Sequence, residues 1–317
     1  MQHPPRRPLQ LGFFVSAMAG GMRDGALRWS DLSAMAQRAE EIGFDSFWIP
    51  DHLLFRSEGQ PTHGPWEGWS LIAALAAVTT RIQIGTLVVC TGFRNPALLA
   101  KMADTVDEIS GGRLILGLGA GWHEPEYSAF GYPFDHRVSR FEEALMIITG
   151  LLRDGHVDVE GTYSQVHDCE LRPRGPRPQG PPILIGALAS GPRMLRLAAT
   201  YADLWNGWLM PVRSHPDQIP SLRDAVNAAC TSAGRDPATL ARTVGVLVEQ
   251  RPPAERPPIS PTSPDPLTGS PAEVATSLRR FAAEGISHVQ LIPTLHGLAG
   301  VEAFAPVLEN LEEHEPR

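Results

Sequence analysis

Cysteine is scarce: Cys90, Cys169 and Cys230 are the only three, and they stand far apart along the chain. They give neither the close pairing of a zinc site nor the density of a disulfide-stapled secreted domain, so they read as reduced cytosolic thiols. No window approaches the roughly 18 uninterrupted apolar residues that a membrane span needs. Residues 1–10 hold three prolines and two arginines and lack the apolar stretch of a signal peptide. The expected compartment is the cytoplasm. Runs of one charge are missing too: 27 basic and 35 acidic residues sum to −8 without a basic face, which disfavours nucleic acid and anionic membrane as partners.

What the chain does have is ordinary globular usage, 43% hydrophobic and 20% charged over 317 residues, enough to bury a large core. Eight short, nearly continuous apolar segments occur at 11–16, 44–49, 82–89, 113–118, 182–187, 203–208, 243–249 and 288–292. Continuous rather than alternating apolarity is the mark of parallel strands covered on both faces. Helical patterns fall between and after them at 30–42, 66–78, 96–109, 139–153, 192–200, 218–233, 271–283 and 300–311, the first with Ser30 as N-cap and Gly43 as stop. Eight strand–helix units in one chain predict an α/β protein, a single (β/α)8 barrel over residues 1–317, in preference to an open doubly wound sheet. Two stretches exceed the repeat. Residues 154–180 form an insertion in which 157–163 resembles a short hairpin, and 251–271 is a proline-rich loop after the seventh strand, a candidate lid on the catalytic face or a disordered insertion.

Chemistry is expected at the C-terminal ends of the strands. Asp51 and His52 sit just past the second strand, where a carboxylate beside an imidazole can set the ring tautomer and prepare it for proton transfer. Gly117-Leu-Gly-Ala-Gly-Trp122 follows the fourth strand but departs from a dinucleotide fingerprint, because tryptophan stands where the last glycine belongs. Its glycines, Gly121 included, serve either a sharp turn or the close approach of backbone to a flat ligand. Trp122, Trp205 and Trp208 lie near strand ends and are either core or the walls of a planar cofactor site. After the fifth strand, Gly186 leads to Ser190, Gly191, Pro192 and Arg193, a helix start whose amides and dipole suit an anion, with Arg193 adding charge. Arg137 and Arg140 read as surface ion-pair partners of the nearby glutamates, with an anionic tail as the other reading. His123, Glu124, Asp135 and His136 cluster after the fourth strand, yet H-E-x-x-H is absent because position 127 is Tyr127, and the first strand lacks a histidine pair. No metal is expected.

Several stretches together resemble the luciferase-like monooxygenase superfamily, in its branch of coenzyme F420-dependent oxidoreductases. They are Ala39-Glu-Glu-Ile-Gly-Phe-Asp-Ser-Phe-Trp-Ile-Pro-Asp-His52, Thr80-Arg-Ile-Gln-Ile-Gly-Thr-Leu-Val88, Asn95-Pro-Ala-Leu-Leu-Ala-Lys101, the segment 109–127, and Ala202-Asp-Leu-Trp-Asn206, in family order. The resemblance implies a barrel that holds a deazaflavin at its C-terminal mouth, against a bulge at Thr86, Leu87 and Val88 where relatives carry a non-proline cis peptide. It also implies that His52 moves a proton and that Gly186 with Ser190 to Arg193 holds the cofactor phosphate. Two departures argue against sugar-phosphate oxidation: Trp122 replaces an acidic residue, and the residue four past His52 is Arg56 rather than an aromatic. The expected activity is hydride transfer between coenzyme F420 and a small organic substrate, with His52 steered by Asp51. The alternatives are an FMN-dependent monooxygenase served by a partner flavin or deazaflavin reductase, and a cofactor-binding protein without turnover. Relatives suggest a homodimer.

Overall fold

The computed structural model describes residues 7–15, 27–187, 191–209, 213–256 and 265–312. In chain order the elements are β1 (Gln10–Phe14), α1 (Trp29–Ile42), β2 (Ser46–Ile49), α2 (Gly68–Val78), β3 (Gln83–Thr86), β4 (Val89–Cys90), α3 (Pro96–Ser110) and β5 (Leu114–Gly119). There follow α4 (Glu124–Phe130), α5 (Arg137–Asp154), β6 (His156–Glu160), β7 (Gln165–Glu170), β8 (Ile183–Gly186), α6 (Pro192–Tyr201) and β9 (Leu204–Trp208). The chain ends with α7 (Ile219–Ser232), β10 (Ala241–Val248), α8 (Pro271–Ala283), β11 (His288–Pro293), α9 (Gly297–Glu302) and α10 (Ala305–Glu312). The sheet runs β3-β2-β1-β11-β10-β9-β8-β5-β4, every pairing is parallel, and β3 also pairs β5, so the sheet closes. Because β3 and β4 are two halves of one broken strand, this is the expected eight-stranded (β/α)8 barrel.

Each strand sends alternate side chains to opposite faces. On β2, Phe47 and Ile49 join the large cluster between strands and helices, while Trp48 points inward to Phe14, Leu87, Ile115, Leu184 and Ile292. The indole fits because its neighbours have no side chain. A Cβ on Gly12 or Gly85 would lie 2.4 and 2.2 Å from Trp48, well inside contact distance. Lower in the barrel, Trp48 Nε1 donates to Ser46 Oγ at 2.6 Å, and Ser46 Oγ lies 2.7 Å from His288 Nε2. The Ser46 hydroxyl thus links Trp48 to His288 Nε2, while His288 Nδ1 is buried with no hydrogen-bond partner among the described residues.

Burial pushes the His288 imidazole down to about 3. The unfolded chain therefore takes up a proton below about pH 6.5 that the folded protein refuses until about pH 3. The contribution is complete above pH 6.5 and is lost as pH falls through that window, at up to about 1.4 kcal/mol per pH unit. His288→Gln is expected to flatten the fall in unfolding free energy between pH 7 and 5, measured by denaturant titration at each pH. Equal slopes in the two proteins would show that His288 titrates normally.

The hairpin of the insertion is β6 paired antiparallel with β7, larger than the stretch 157–163 and inserted between α5 and β8. The helix start at Ser30 is corrected: α1 begins at Trp29, and Asp31 accepts from the Arg28 amide instead. The final helix is two, α9 and α10. Between them Phe304 is fully buried, meeting Phe13 and Phe44 edge-on at 6.2 and 5.8 Å. Part of the proline-rich loop, residues 257–264, lies outside the described residues. On its far side, Leu267 bridges Val248 at the end of β10. Among the described residues no helix is long and apolar enough to cross a membrane.

Candidate active site

β2 ends at Ile49, and the next residues turn at the barrel mouth. The expected Asp51–His52 pair does not form. Asp51 is 3% exposed and turns toward the next strand: Oδ2 accepts from the Cys90 amide at 2.9 Å, and both oxygens accept from Arg94, at 2.6 and 2.9 Å. Arg94 also bonds Glu67, whose carboxylate caps the start of α2 through the Trp69 and Ser70 amides. Asp51 is thus an anchor that ties the end of β2 to β4 and to the approach of α3.

Glu126 holds His52 in place of Asp51. Its Oε1 lies 3.0 Å from His52 Nδ1, and its Oε2 accepts from the Leu53 amide at 2.9 Å. A carboxylate only accepts, so Nδ1 carries the proton in this contact and Nε2 is left for another partner. The buried Glu126 comes from α4, a seven-residue helix that the apolar periodicity did not reveal. That helix is set by Tyr127, whose hydroxyl donates to the Ala120 carbonyl at 2.9 Å and lies 2.8 Å from the Cys90 sulfur. Burial pushes the Cys90 thiol up to about 12, which makes it packing rather than a nucleophile. Gly121 has φ 73°, and a Cβ there would lie 2.0 Å from the Tyr127 hydroxyl, so the turn itself demands glycine.

The Thr86–Leu87–Val88 bulge separates β3 from β4, and the Leu87–Val88 peptide is cis. Thr86 Oγ1 fills the gap in the ladder by bonding both the carbonyl and the amide of Gly117, at 2.9 and 3.1 Å. Val88 lies over the bare strand ends: Cβ positions on Gly119 and Gly186 would sit 2.6 and 3.7 Å from its methyl groups. The bulge and Gly186, far apart in sequence, therefore meet at one mouth. Beyond Gly186, α6 opens at Pro192 with Gly191 as its N-cap, and among the described residues no side chain caps it, so its first amides suit an anion. A flat ring on the bulge with an anionic tail toward α6 fits these residues. Ser190 lies outside the described residues. Gly191 is the N-cap of α6, and Arg193 turns away to Glu142 at 2.6 Å and Ser139 at 3.0 Å.

Other expected site residues separate. Trp205 is buried on the outward face, donating to the Ala187 carbonyl at 2.9 Å, whereas Trp208 lies inside the barrel against Phe14. Trp122 is 56% exposed and stands beside His52, with ring centres 5.6 Å apart. The ion pairs expected between Arg137 or Arg140 and nearby glutamates do not form. Arg137 donates to the Gly121 carbonyl at 2.6 Å, and Arg140 pairs with Asp135 at 3.1 Å. Among the described residues no three His, Cys, Asp or Glu side chains gather as metal donors.

The sequence model of luciferase-like monooxygenases matches residues 9–255. The chain belongs to this family. Among curated relatives, an F420-dependent glucose-6-phosphate dehydrogenase of Amycolatopsis mediterranei is 36% identical over 62% of this chain and 56% of that protein. A phthiodiolone/phenolphthiodiolone dimycocerosates ketoreductase of Mycobacterium tuberculosis is 33% identical over 66% of this chain and 58% of its own length. The family member described here thus spans little more than half the length of these relatives. The fold matches an F420-dependent secondary alcohol dehydrogenase solved with an F420-acetone adduct, with a TM-score of 0.76 and 20% identity over 96% of this chain and 99% of that one.

Proposed function

We propose that the protein is an oxidoreductase that moves a hydride between coenzyme F420 and a small organic carbonyl or alcohol. The observation that carries the reading is the His52–Glu126 pair, set at the strand ends beside the Leu87–Val88 bulge. It is supported by relatives whose names state F420 dependence or ketone reduction. Reduction of a carbonyl adds a hydride to carbon and a proton to oxygen, and oxidation of the alcohol removes both. The deazaflavin, when bound, supplies or takes the hydride. The chain supplies the rest: Glu126 fixes the imidazole, and His52 Nε2 delivers or receives the proton. Thr86, Leu87 and Val88 back the ring, while Gly186, Gly191 and the opening amides of α6 receive the phosphate.

An FMN-dependent monooxygenase served by a partner reductase is the second reading, supported by the family's own description. Titration of the purified protein with coenzyme F420 and with FMN, followed by cofactor fluorescence, decides between them. The deazaflavin is expected to bind at least about tenfold more tightly, a difference of about 1.4 kcal/mol. Tighter FMN binding would transfer the assignment to the monooxygenase. A cytoplasmic homodimer completes the reading, its dimeric state supported by the largely apolar α2 and by Leu98 and Ile109 exposed on α3. A solution mass equal to that of one chain would remove the dimer.

A further inference from the structure

Three rings form a shelf around His52. Phe55 and Trp122 lie 4.6 and 5.6 Å from its ring centre, and His123 closes the group at 5.5 Å from Phe55 and 5.1 Å from Trp122. Phe55 is buried at the back, while Trp122 offers more than half its surface to solvent. Trp122 belongs to this shelf and not to the interior cluster of Phe14, Trp48 and Leu87, against which Val88 packs. Its exposed face is therefore placed to act as a wall for whatever approaches His52.

The shelf offers mostly apolar surface. Arg94 is tied to Asp51 and Glu67, and Arg56 turns its side chain to Thr62. Glu126 is taken by His52 and the Leu53 amide. His123 accepts from the Arg56 amide through Nε2, which needs an unprotonated ring nitrogen there, and burial lowers its pKa. A phosphorylated sugar would bring a dianion to a wall of aromatic rings where Arg94 is already neutralised by Asp51 and Glu67, leaving the exposed Arg56 as its counter-charge.

We propose that the substrate is an uncharged ketone or secondary alcohol with an aryl ring or alkyl chain next to the reacting carbon, the oxygen at His52 and the apolar part on Trp122. The proposal rests on the hydride-transfer reading and narrows its substrate. Aromatic contact of this kind is directional and worth more than area alone, so loss of the indole is felt most by ligands with a ring.

The test compares the wild type with Trp122→Ala and Trp122→Phe, each shown to be folded by its melting temperature. Binding of acetophenone, acetone and glucose 6-phosphate is measured by calorimetry, and hydride transfer by the absorbance of the reduced deazaflavin. Acetophenone is expected to bind more tightly than glucose 6-phosphate. Trp122→Ala should lower the preference for acetophenone over acetone by roughly tenfold, and Trp122→Phe should restore most of it. An unchanged preference in the alanine variant, or tighter binding of the sugar phosphate, overturns the proposal. Trp122-dependent binding of acetophenone without any hydride transfer would sink the hydride reading and leave the apolar subsite standing.

Discussion

Replacing His52 with alanine is expected to lower turnover by about 10²–10⁴-fold, the usual contribution of a positioned proton donor or acceptor. Cofactor affinity should change less than about twofold, because the imidazole touches Glu126, Phe55 and Trp122 rather than the bulge or the start of α6. Steady-state rates with a saturating ketone and a fluorescence titration of the deazaflavin measure the two quantities separately. Turnover within about threefold of wild type would show that solvent or another group moves the proton. A parallel loss of rate and cofactor affinity would mean that His52 holds the ring instead.

The barrel was legible because its physics is local. Parallel strands covered on both sides are nearly continuously apolar, and the eight apolar segments fall on the eight strand positions of the barrel. The break in the third strand left no trace in the apolar pattern, since Leu87, Val88 and Val89 are as apolar across the bulge as within a strand, and only the family resemblance pointed to it. α4 escaped for a similar reason: seven residues containing Pro125 are too few to display a 3.6-residue period. In the candidate site the position of His52 was legible but its partner was not. Adjacency suggested Asp51 as its partner, but successive residues on extended chain point to opposite sides, and Asp51 went to Arg94 while His52 went to Glu126. Glu126 lies 74 residues further along the chain. The only hint of it was an acidic residue in the segment after β5, the barrel's fourth strand, at the mouth where strand ends meet. Trp205 and Trp208 show the same limit. Three residues apart on one strand, they face opposite sides of the sheet, and sequence alone did not say which faces in.

Removal of Arg94 is expected to cost about 3–5 kcal/mol of folding stability, because Arg94→Met leaves the Asp51 carboxylate buried with only the Cys90 amide for company. The guanidinium is desolvated, yet Asp51 and Glu67 outweigh that and keep it charged. The pair therefore depends on both members, and removing one exposes the full desolvation penalty of the other. Denaturant unfolding of Arg94→Met reads the loss, and a change below about 1 kcal/mol would show that water replaces the arginine. Adding Asp51→Leu to Arg94→Met should recover part of the stability, since a buried pair exchanged for apolar groups is often neutral. Recovery of stability without recovery of turnover would separate two roles that adjacency in sequence confuses. Asp51 and Arg94 fix where the β2 and β4 ends stand, and that placement decides whether His52 and the bulge face the same substrate.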